Sequence, residues 1–308
     1  MKFIAFIVFV IVQIIFIPLA IAGFVLVTVK QLSVSKKLGV SSTALSVLSG
    51  RWMMNAYGVR RDENVTRLYR ALPNASETGL WLLFFPSYLR YKISPSIPES
   101  GRENVFTVVS SRTIHFDQLI RKSSDQVEQF VIMGAGYDTR AYGFIPNKKI
   151  KFFELDQPNT QRLKIASLKK AGIDARHVTF VEVDFSAEKW YEKLEHAGYN
   201  PDRKSIFLWE GVTLYLSEAD VRKTINEIRD HAASGSVLIT DFYGERLLAL
   251  KGVKSTNEWF NFGLDLSGDY ESALKTFLGS IPIVPGNFYF MGYKHKKGPI
   301  GVITEICL

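Results

Sequence analysis

The feature that most constrains the fold of this chain is a regular alternation of short apolar segments with longer amphipathic ones beyond residue 105. The strand-like segments are 130–135, 151–155, 178–183, 205–209 and 236–241, and the helix-like segments include 105–123, 158–171, 187–197 and 218–233. Strands that alternate with helices at this spacing predict consecutive βαβ units. We therefore expect an α/β fold whose parallel sheet is covered by helices on both faces.

The end of the chain follows a different pattern. Two apolar segments, 288–294 and 300–307, are separated only by the short polar stretch HKKGP. Two strand-like segments joined by a turn that contains glycine and proline predict a β-hairpin. The parallel sheet is therefore expected to finish in an antiparallel hairpin.

The N-terminus is a long uncharged segment. Residues 3–29 contain no Asp, Glu, Lys or Arg, and about 20 apolar residues suffice to cross the roughly 30 Å hydrocarbon core of a bilayer. A cleaved signal peptide is the alternative, but its apolar region is typically only about 7–15 residues long. Because Lys30, Lys36 and Lys37 follow the segment and only Lys2 precedes it, the positive-inside rule predicts a single-pass anchor with the rest of the chain in the cytoplasm.

The basic residues are concentrated beside this segment. Of the 38 Lys and Arg residues, 14 lie between Lys30 and Lys122, against 6 Asp and Glu in the same stretch. Such a region is typical of attraction to anionic lipid headgroups. Nucleic-acid binding would place the charge on a folded module, so we expect no nucleic-acid partner. The single cysteine, Cys307, excludes an internal disulfide and a cysteine-based zinc cluster, and no metal site is predicted.

A second apolar segment, 79–91, has the sequence GLWLLFFPSYLRY and is too short to cross a bilayer as a straight helix. It combines Trp81 and two tyrosines with Arg90 and Lys92 at one end, a composition typical of a membrane interface. The alternative is a core helix that ends at Pro86. Periodicity over so short a segment does not separate the two interpretations.

The first strand of the alternating region leads into the loop GAGYDTR, residues 134–140. Gly134 and Gly136 lack Cβ atoms where the chain turns from strand to helix, so the backbone can approach a ligand. A loop that binds pyrophosphate favours a third glycine at the start of the helix, where this chain has Thr139 preceded by the acidic Asp138. The loop therefore disfavours a pyrophosphate and tolerates a cationic ligand.

Acidic residues also follow the next three strands. Asp156 ends the second strand, about twenty residues beyond the glycines, where a carboxylate accepts hydrogen bonds from ribose hydroxyls. The third strand ends in Asp184 and Phe185, and the fourth is followed by Glu210 and Tyr215. Each acid alone could be a solvated strand end or a helix cap. Because the carboxyl ends of parallel strands share one edge of a sheet, we expect them to line a single crevice.

These motifs, in this order, resemble the leucine carboxyl methyltransferase family, which includes protein phosphatase methyltransferases and polyketide O-methyltransferases. The motifs that carry the resemblance are SSRTIHFDQLI, GAGYDTRAYGF, FFELDQP, EVDFS and WEGVTLYL, within residues 100–245. The resemblance implies a Rossmann-like class I methyltransferase fold with a mostly parallel seven-stranded sheet that ends in an antiparallel hairpin. In this chain a predicted transmembrane helix precedes that fold.

The resemblance also implies an S-adenosylmethionine site. Arg112 would bind the methionyl carboxylate, the loop at Gly134 and Gly136 would lie beneath the methionyl part, and Asp138 and Glu210 would lie near its amino group. Asp156 would bind the ribose, Asp184 and Phe185 the adenine, and Tyr215 would face the acceptor. Arg140 is equally compatible with an exposed ion pair and with an acceptor contact. Ser186 replaces an arginine that grips a terminal leucine carboxylate in the phosphatase enzymes, so a phosphatase tail is not the expected substrate.

The predicted reaction is O-methylation of a carboxylate on a small or lipophilic acceptor near the membrane, which the chain contacts through residues 3–29. A lipophilic acceptor would be reached from the bilayer surface through the segment 79–91. A carboxylate is ionised at neutral pH and needs no general base, which fits the absence of histidine from the four strand-end motifs. The predicted domains are a transmembrane anchor in 1–30, a basic juxtamembrane helical region in 31–100 and a catalytic domain in 101–308. A nicotinamide-dependent oxidoreductase and a membrane-anchored cofactor-binding protein without catalysis are the alternatives.

Overall fold

The computed structural model describes residues 2–93, 99–104, 106–145, 149–248, 259–279 and 284–308. The chain divides into two compact units. The first, which we call the helical unit, consists of Met1–Ile97 and Leu163–Ile173, and the second, the sheet unit, consists of Pro98–Arg162 and Asp174–Leu308.

The helical unit contains four helices from the N-terminal part of the chain. They are α1 (Lys2–Leu38), α2 (Ser42–Tyr57), α3 (Glu63–Ala71) and α4 (Glu77–Ile93). Side chains cap the starts of two of them, because the Ser41 hydroxyl accepts from the amide of Ala44 and the Asp62 carboxylate accepts from the amide of Val65. Gly58, at φ +79°, ends α2 in the left-handed conformation that favours glycine.

Helix α1 is long and apolar enough, from Phe6 to Leu38, to cross a membrane by length and composition. Very few of the residues in its apolar stretch are buried within the unit. The helix continues without a break through Lys30 and past the end of the uncharged segment.

The segment 79–91 lies within α4, which begins at Glu77 and ends at Ile93. The expectation that a core helix here would end at Pro86 is wrong, because Pro86 is buried inside the helix and the helix continues beyond it. A proline inside a helix removes one backbone hydrogen bond and tends to kink the helix without always ending it. Here α4 packs against both α1 and α2.

The sheet unit contains seven strands and the remaining helices. The strands are β1 (Gln129–Met133), β2 (Lys151–Asp156), β3 (Val178–Glu182), β4 (Ser205–Trp209), β5 (Val237–Tyr243), β6 (Val284–Met291) and β7 (Gly301–Cys307). The helices are α5 (Val108–Ser123), α6 (Pro158–Lys170, shared with the helical unit), α7 (Trp190–His196), α8 (Glu218–His231), α9 (Glu245–Leu248) and α10 (Tyr270–Leu278).

The seven strands form one sheet in the order β3-β2-β1-β4-β5-β7-β6. The first five are parallel, and β7 pairs antiparallel with both β5 and β6. Every residue of β1 and β4 is buried, as expected for central strands covered on both faces. The order of the strands reverses between β1 and β4, which places a crevice at their carboxyl ends.

The sheet and the final hairpin predicted from the sequence are confirmed. The ends of the five parallel strands differ from the expected ones by at most two residues, and Ser217 caps α8 by accepting from the amide of Asp220. Strand β6 begins four residues earlier than predicted, because a β-bulge between Pro285 and Phe288 extends its pairing with β7.

Candidate functional site at the carboxyl edge of the sheet

The loop after β1 turns sharply at two glycines. Gly134 and Gly136 adopt φ values of +66° and +45°, which are unfavourable for residues with a Cβ atom. A Cβ atom at Gly134 would also collide with the Val212 side chain from the loop after β4. The amide of Ala135 donates to the carbonyl of Leu155 at 2.9 Å. The two glycines therefore hold the loop between β1 and β4, with its backbone at the crevice.

The carboxylate of Asp156 supports this loop from the end of β2. One of its oxygens accepts a hydrogen bond from the amide of Gly136, and the other accepts from the amide of Gln157 at 2.6 Å. The residue is partly exposed. The acid predicted to bind ribose thus lies directly beside the glycine loop, and this contact sets the position of both.

The guanidinium of Arg112 on α5 is buried among acidic groups. Its Nε donates to Glu210 at 3.0 Å, and its Nη1 donates to Asp241 at 3.4 Å and to the hydroxyl of Tyr243. Burial opposes the charged form, but Tyr243, Glu210 and Asp241 raise the pKa of Arg112 above its ordinary value. The arginine predicted to bind a ligand carboxylate therefore already holds carboxylates from the ends of β4 and β5.

The guanidinium of Arg140 is fully buried in a second, adjoining set of ion pairs. Its Nε donates to Asp117 at 2.7 Å, and its Nη1 donates to Asp138 and Glu210, each at 2.6 Å. Against the effect of burial, these carboxylates raise its pKa well above the ordinary value. The expectation of an exposed arginine is therefore wrong, because three acids from separate segments compensate its charge inside the protein.

Glu210 joins the two sets, since one of its oxygens bonds Arg112 and the other bonds Arg140. The resulting cluster, which we call the arginine–carboxylate network, contains two guanidiniums and four carboxyl groups. The carboxyl groups are Asp117, Asp138, Glu210 and Asp241. Burial raises the pKa of Asp241 to about 6, so it is largely ionised at neutral pH. The network then carries an excess of negative charge that suits a cationic ligand.

Two carboxyl groups of this network, Asp117 and Asp241, were not among the predicted site residues. Neither was Tyr243, whose hydroxyl accepts a hydrogen bond from Arg112. Asp241 and Tyr243 end β5 at the same edge of the sheet as Glu210, so the rule that identified the other strand-end acids applies to Asp241 as well. Asp117 lies five residues beyond Arg112 on α5. Its contact with Arg140 depends on tertiary packing and has no local signal.

The predicted adenine-binding pair lies at the end of β3. The carboxylate of Asp184 accepts from the amide of Ser186 at 2.9 Å, and the Phe185 ring lies 6.0 Å from the ring of Trp190. The phenylalanine is partly buried against the hydrophobic core. The turn is thus well defined at the carboxyl edge, and its role in binding adenine stays a prediction.

Tyr215 lies in a short 3-10 turn, Thr213–Tyr215, after β4. Its ring centroid lies 5.3 Å from that of Phe260, and the side chain of Asn261 donates to its carbonyl at 2.8 Å. The amide of Asn261 also donates to the carbonyl of Leu214 at 2.7 Å. The stretch that contains Phe260 is therefore held against the Tyr215 turn, with the exposed Trp259 beside it.

Among the residues that the structure describes, no group of three or more His, Cys, Asp or Glu side chains is arranged to hold a metal ion. The carboxylates of the network instead bind arginine side chains and backbone amides.

A family model for leucine carboxyl methyltransferase matches residues 61–229, more than half of the chain. The chain belongs to this family. The family predicted from the motifs is thus confirmed, and the match begins about forty residues before the region that carries them.

Curated relatives agree with this assignment. A Streptomyces avermitilis protein with the provisional name of an S-adenosyl-L-methionine-dependent methyltransferase is 32% identical over 206 residues, 64% of this chain and 67% of that protein. Similarly named proteins of Mycolicibacterium smegmatis and Bacillus subtilis are 33% and 32% identical, over 49% and 42% of this chain and 51% and 43% of their own. The chain thus spans about half the length of these two relatives.

A solved structure from Thermobifida fusca, provisionally assigned as a methyltransferase, shares the fold. Its TM-score is 0.51 at 14% sequence identity, and the match covers 78% of this chain and 93% of that one. The class I methyltransferase fold predicted from the sequence is therefore confirmed.

Proposed function

We propose that this protein is an S-adenosylmethionine-dependent methyltransferase that methylates a carboxylate oxygen of a small or lipophilic acceptor. The observation that carries the proposal is the arginine–carboxylate network, which lies beside the glycine loop and has more carboxyl groups than guanidiniums. The methionyl part of S-adenosylmethionine combines a sulfonium, an ammonium and a carboxylate. The two cations of this part of the cofactor can pair with the carboxyl groups of the network, and its carboxylate can pair with the guanidiniums.

The residues at this edge fit that cofactor. Arg112 would bind its carboxylate, while Glu210 and Asp138 would receive the ammonium. The Nη2 of Arg140 is buried without a hydrogen-bond partner among the described residues, and it would supply a further N–H to the same carboxylate. The aspartate beside the glycine loop, Asp156, would bind the ribose hydroxyls.

At the end of β3, Asp184 would accept from the adenine amino group, while Phe185 would pack against the adenine ring. When bound, S-adenosylmethionine supplies a methyl group already activated by the positive charge on its sulfur. The protein's part is then to align the acceptor and exclude water, which can contribute several orders of magnitude to the rate.

The same charges disfavour a nicotinamide dinucleotide. Its pyrophosphate would place two negative charges near Asp138 and Glu210, and interactions between like charges are strong where solvent is excluded. The loop therefore lacks the neutral residues and the favourable helix start that a dinucleotide needs, which disfavours the oxidoreductase alternative.

Two observations support a lipophilic acceptor. The aromatic rings of Tyr215 and Phe260 pack together beyond β4, and Trp259 is 62% exposed next to them. Exposed aromatic side chains at the mouth of a site suit a ligand with an apolar body. The apolar helix α1 would bring the enzyme to a membrane, where such acceptors concentrate. We keep the predicted division into an anchor, a basic helical region and a catalytic domain as part of this proposal.

Calorimetric titration of S-adenosylmethionine into the full chain in detergent micelles tests the cofactor. We expect micromolar binding by the wild type, loss of binding by Asp156→Ala, and no binding of NADH. Asp174→Ala is the matched control, since Asp174 is an exposed aspartate that pairs with Arg176. Binding of NADH in place of S-adenosylmethionine would refute the proposal.

Transfer of a radiolabelled methyl group tests the acceptor. Fatty acids and aromatic carboxylic acids are expected to accept the label, and phenols of similar size are not, because the strand-end motifs contain no histidine to act as a general base. Trp259→Ala is expected to raise KM more for long-chain acids than for short ones. Cofactor binding without turnover on any acid would favour a binding protein that has lost catalysis.

A further inference from the structure

The helix α1 has two different faces. One is a stripe that includes Phe16, Ala20, Gly23 and Val27, and these side chains are half-buried or buried. The spacing of four, three and four residues places them on one side of the helix. Between Ile7 and Val29 the opposite side is exposed and apolar. It carries Ile7, Ile11, Ile14, Ile21, Val25 and Val29, which are 42–62% exposed.

The buried stripe packs against α4, and the two helices are antiparallel. Gly23 approaches α4 so closely that a Cβ atom there would lie 2.6 Å from the carbonyl oxygen of Gly79. Further along, the rings of Phe16 and Phe85 lie 5.2 Å apart. As the residue number falls from 23 to 16 on α1, it rises from 79 to 85 on α4. Small residues at such a crossing allow two helices to approach backbone to backbone.

The other side of α4 packs against α2. The ring of Trp81 lies 4.9 Å from that of Trp52, and the ring of Tyr91 stacks on Tyr57 at 5.2 Å. The hydroxyl of Tyr57 donates to the carbonyl of Phe84 at 3.4 Å. The helical unit is therefore layered, with α1 outermost, α4 in the middle and α2 behind it.

A polar contact between α2 and α3 lies behind α2, level with the middle of α1. Asn55 on α2 bonds the amide of Asp62 at 2.8 Å and the hydroxyl of Thr66 on α3 at 3.0 Å. This contact is level with Phe84 and Phe85 on α4, and hence with Phe16 on α1. Exposed charged side chains accompany it, namely Arg61, Glu63 and Arg67. A bilayer crossed by α1 along its normal would enclose these charges in hydrocarbon, which is strongly unfavourable.

We infer that α1 lies in the plane of the membrane and buries its outer face in one leaflet instead of crossing the bilayer. The layered packing then places the apolar side chains of α1 in lipid and the charged residues of α3 in water. Only about the first eight residues of α1 extend past the end of α4, or roughly 12 Å of helix, which is too short to cross alone. An in-plane helix typically sits about 5–10 Å below the headgroup boundary.

This inference rests on the membrane association included in the proposed function and is independent of the methyl transfer. It replaces the single crossing predicted from the sequence, which counted the length of the apolar segment without its neighbours. The segment 79–91 was predicted to be either interfacial or part of the core. In this inference it lies near the membrane interface but behind α1, because α4 packs against the side of α1 that faces away from lipid.

Spin labels on α1 test the inference by measuring depth in the bilayer. Single cysteines at Ile7, Ile14, Ile21 and Val25, in a full-length Cys307→Ser background, are labelled in phosphatidylcholine and phosphatidylglycerol vesicles. Accessibility to oxygen and to a water-soluble nickel complex gives the depth of each label. We expect the same shallow depth at all four positions, in one leaflet. Arg61→Cys supplies the control for a position in water.

A helix that crosses the bilayer gives a different profile. Depth would change by about 1.5 Å per residue, so the labels at Ile7 and Ile14 would differ by roughly 10 Å, with the greatest depth near the middle of the helix. That result would overturn the inference. Free access of the nickel complex to all four labels would also overturn it, by removing membrane association. Either result leaves the proposed cofactor open to its own test, because titration with S-adenosylmethionine does not depend on how α1 meets the membrane.

A second measurement reports on sidedness. Lys2→Cys and Arg61→Cys, each in the same Cys307→Ser background, are exposed to a membrane-impermeant maleimide in sealed vesicles. An in-plane helix leaves both positions on the same side, so both react to the same extent from outside. A crossing helix places the two positions on opposite sides of the membrane. In each protein molecule only one of them would then react with the maleimide until the vesicles are opened.

Discussion

Replacing Arg140 with methionine is expected to destabilise the sheet unit strongly. The substitution keeps a similar side-chain volume but leaves the buried carboxylates of Asp117, Asp138 and Glu210 without their shared cation. Removal of one partner from a buried ion pair typically costs about 3–5 kcal/mol. For a unit of about 200 residues, each kcal/mol lowers Tm by about 2–4 °C. We therefore expect Tm to fall by roughly 6–20 °C.

Arg162→Met is the matched control. Arg162 also makes two hydrogen bonds to one carboxylate, at 2.7 and 2.6 Å from Glu182, but its side chain is 66% exposed. An exposed pair is screened by water and contributes little, so no measurable change in Tm is expected. Differential scanning calorimetry of the full chain in micelles, supported by near-ultraviolet circular dichroism, measures both variants under the same conditions.

Equal Tm values for the two variants would refute the reasoning, since Arg140 makes buried ion pairs with three carboxylates and Arg162 makes an exposed one with a single carboxylate. Arg140→Lys gives an intermediate case. It keeps the positive charge but lacks the planar group that serves Asp117 and Glu210 from different nitrogens. A Tm between those of the wild type and Arg140→Met is expected, whereas a wild-type Tm would mean that charge alone, without geometry, supports the network.

Three further predictions concern the same edge of the sheet. Burial raises the pKa of Asp241 from 3.8 to about 6, so between these pH values the native carboxyl keeps a proton that the unfolded chain releases. The protonated carboxyl therefore stabilises the native state by about 3 kcal/mol at low pH, and this contribution is lost as pH rises from about 4 to about 6. Asp241→Asn should remove that component from the pH dependence of Tm. Gly134→Ala should weaken S-adenosylmethionine binding more than Gly143→Ala in calorimetric titration, because both glycines have positive φ but only Gly134 would meet a neighbouring side chain, Val212. Tyr243→Phe should lower the free energy of unfolding in urea by about 1–3 kcal/mol, because the buried carboxylate of Asp241 loses a hydrogen bond at 3.0 Å; an unchanged midpoint would mean that the bond contributes nothing.

The sheet could be predicted because its strands are identified by local composition. In β1 and β4 every residue is buried, so each appears in the sequence as an unbroken apolar segment between turns. The hairpin β6–β7 could be predicted from its short connection. The bulge at Pro285 could not, because the register of β6 depends on the strand that it pairs with.

The site was only partly predictable for a related reason. Strand-end acids such as Asp156 and Glu210 are identified by their position after an apolar segment. The burial of Arg140 depends on Asp117, 23 residues away, and on Glu210, 70 residues away, and a lone arginine at the start of a turn is ordinarily exposed. Similarly, the orientation of α1 depends on what packs against it, which hydropathy along one segment does not contain.

In the proposed function, the bridging position of Glu210 would link cofactor binding to the stability of the sheet unit. A ligand carboxylate that binds Arg112 competes with Glu210 for the guanidinium, and a ligand ammonium gives Glu210 a new partner in exchange. Arg140 would keep Glu210 in place during this exchange through its bond at 2.6 Å. The excess of carboxyl groups over guanidiniums is therefore destabilising, and a cationic ligand would reduce that repulsion. A ligand of this charge should raise Tm as well as bind, whereas methionine without the adenosyl sulfonium lacks the second cation and should stabilise the unit less.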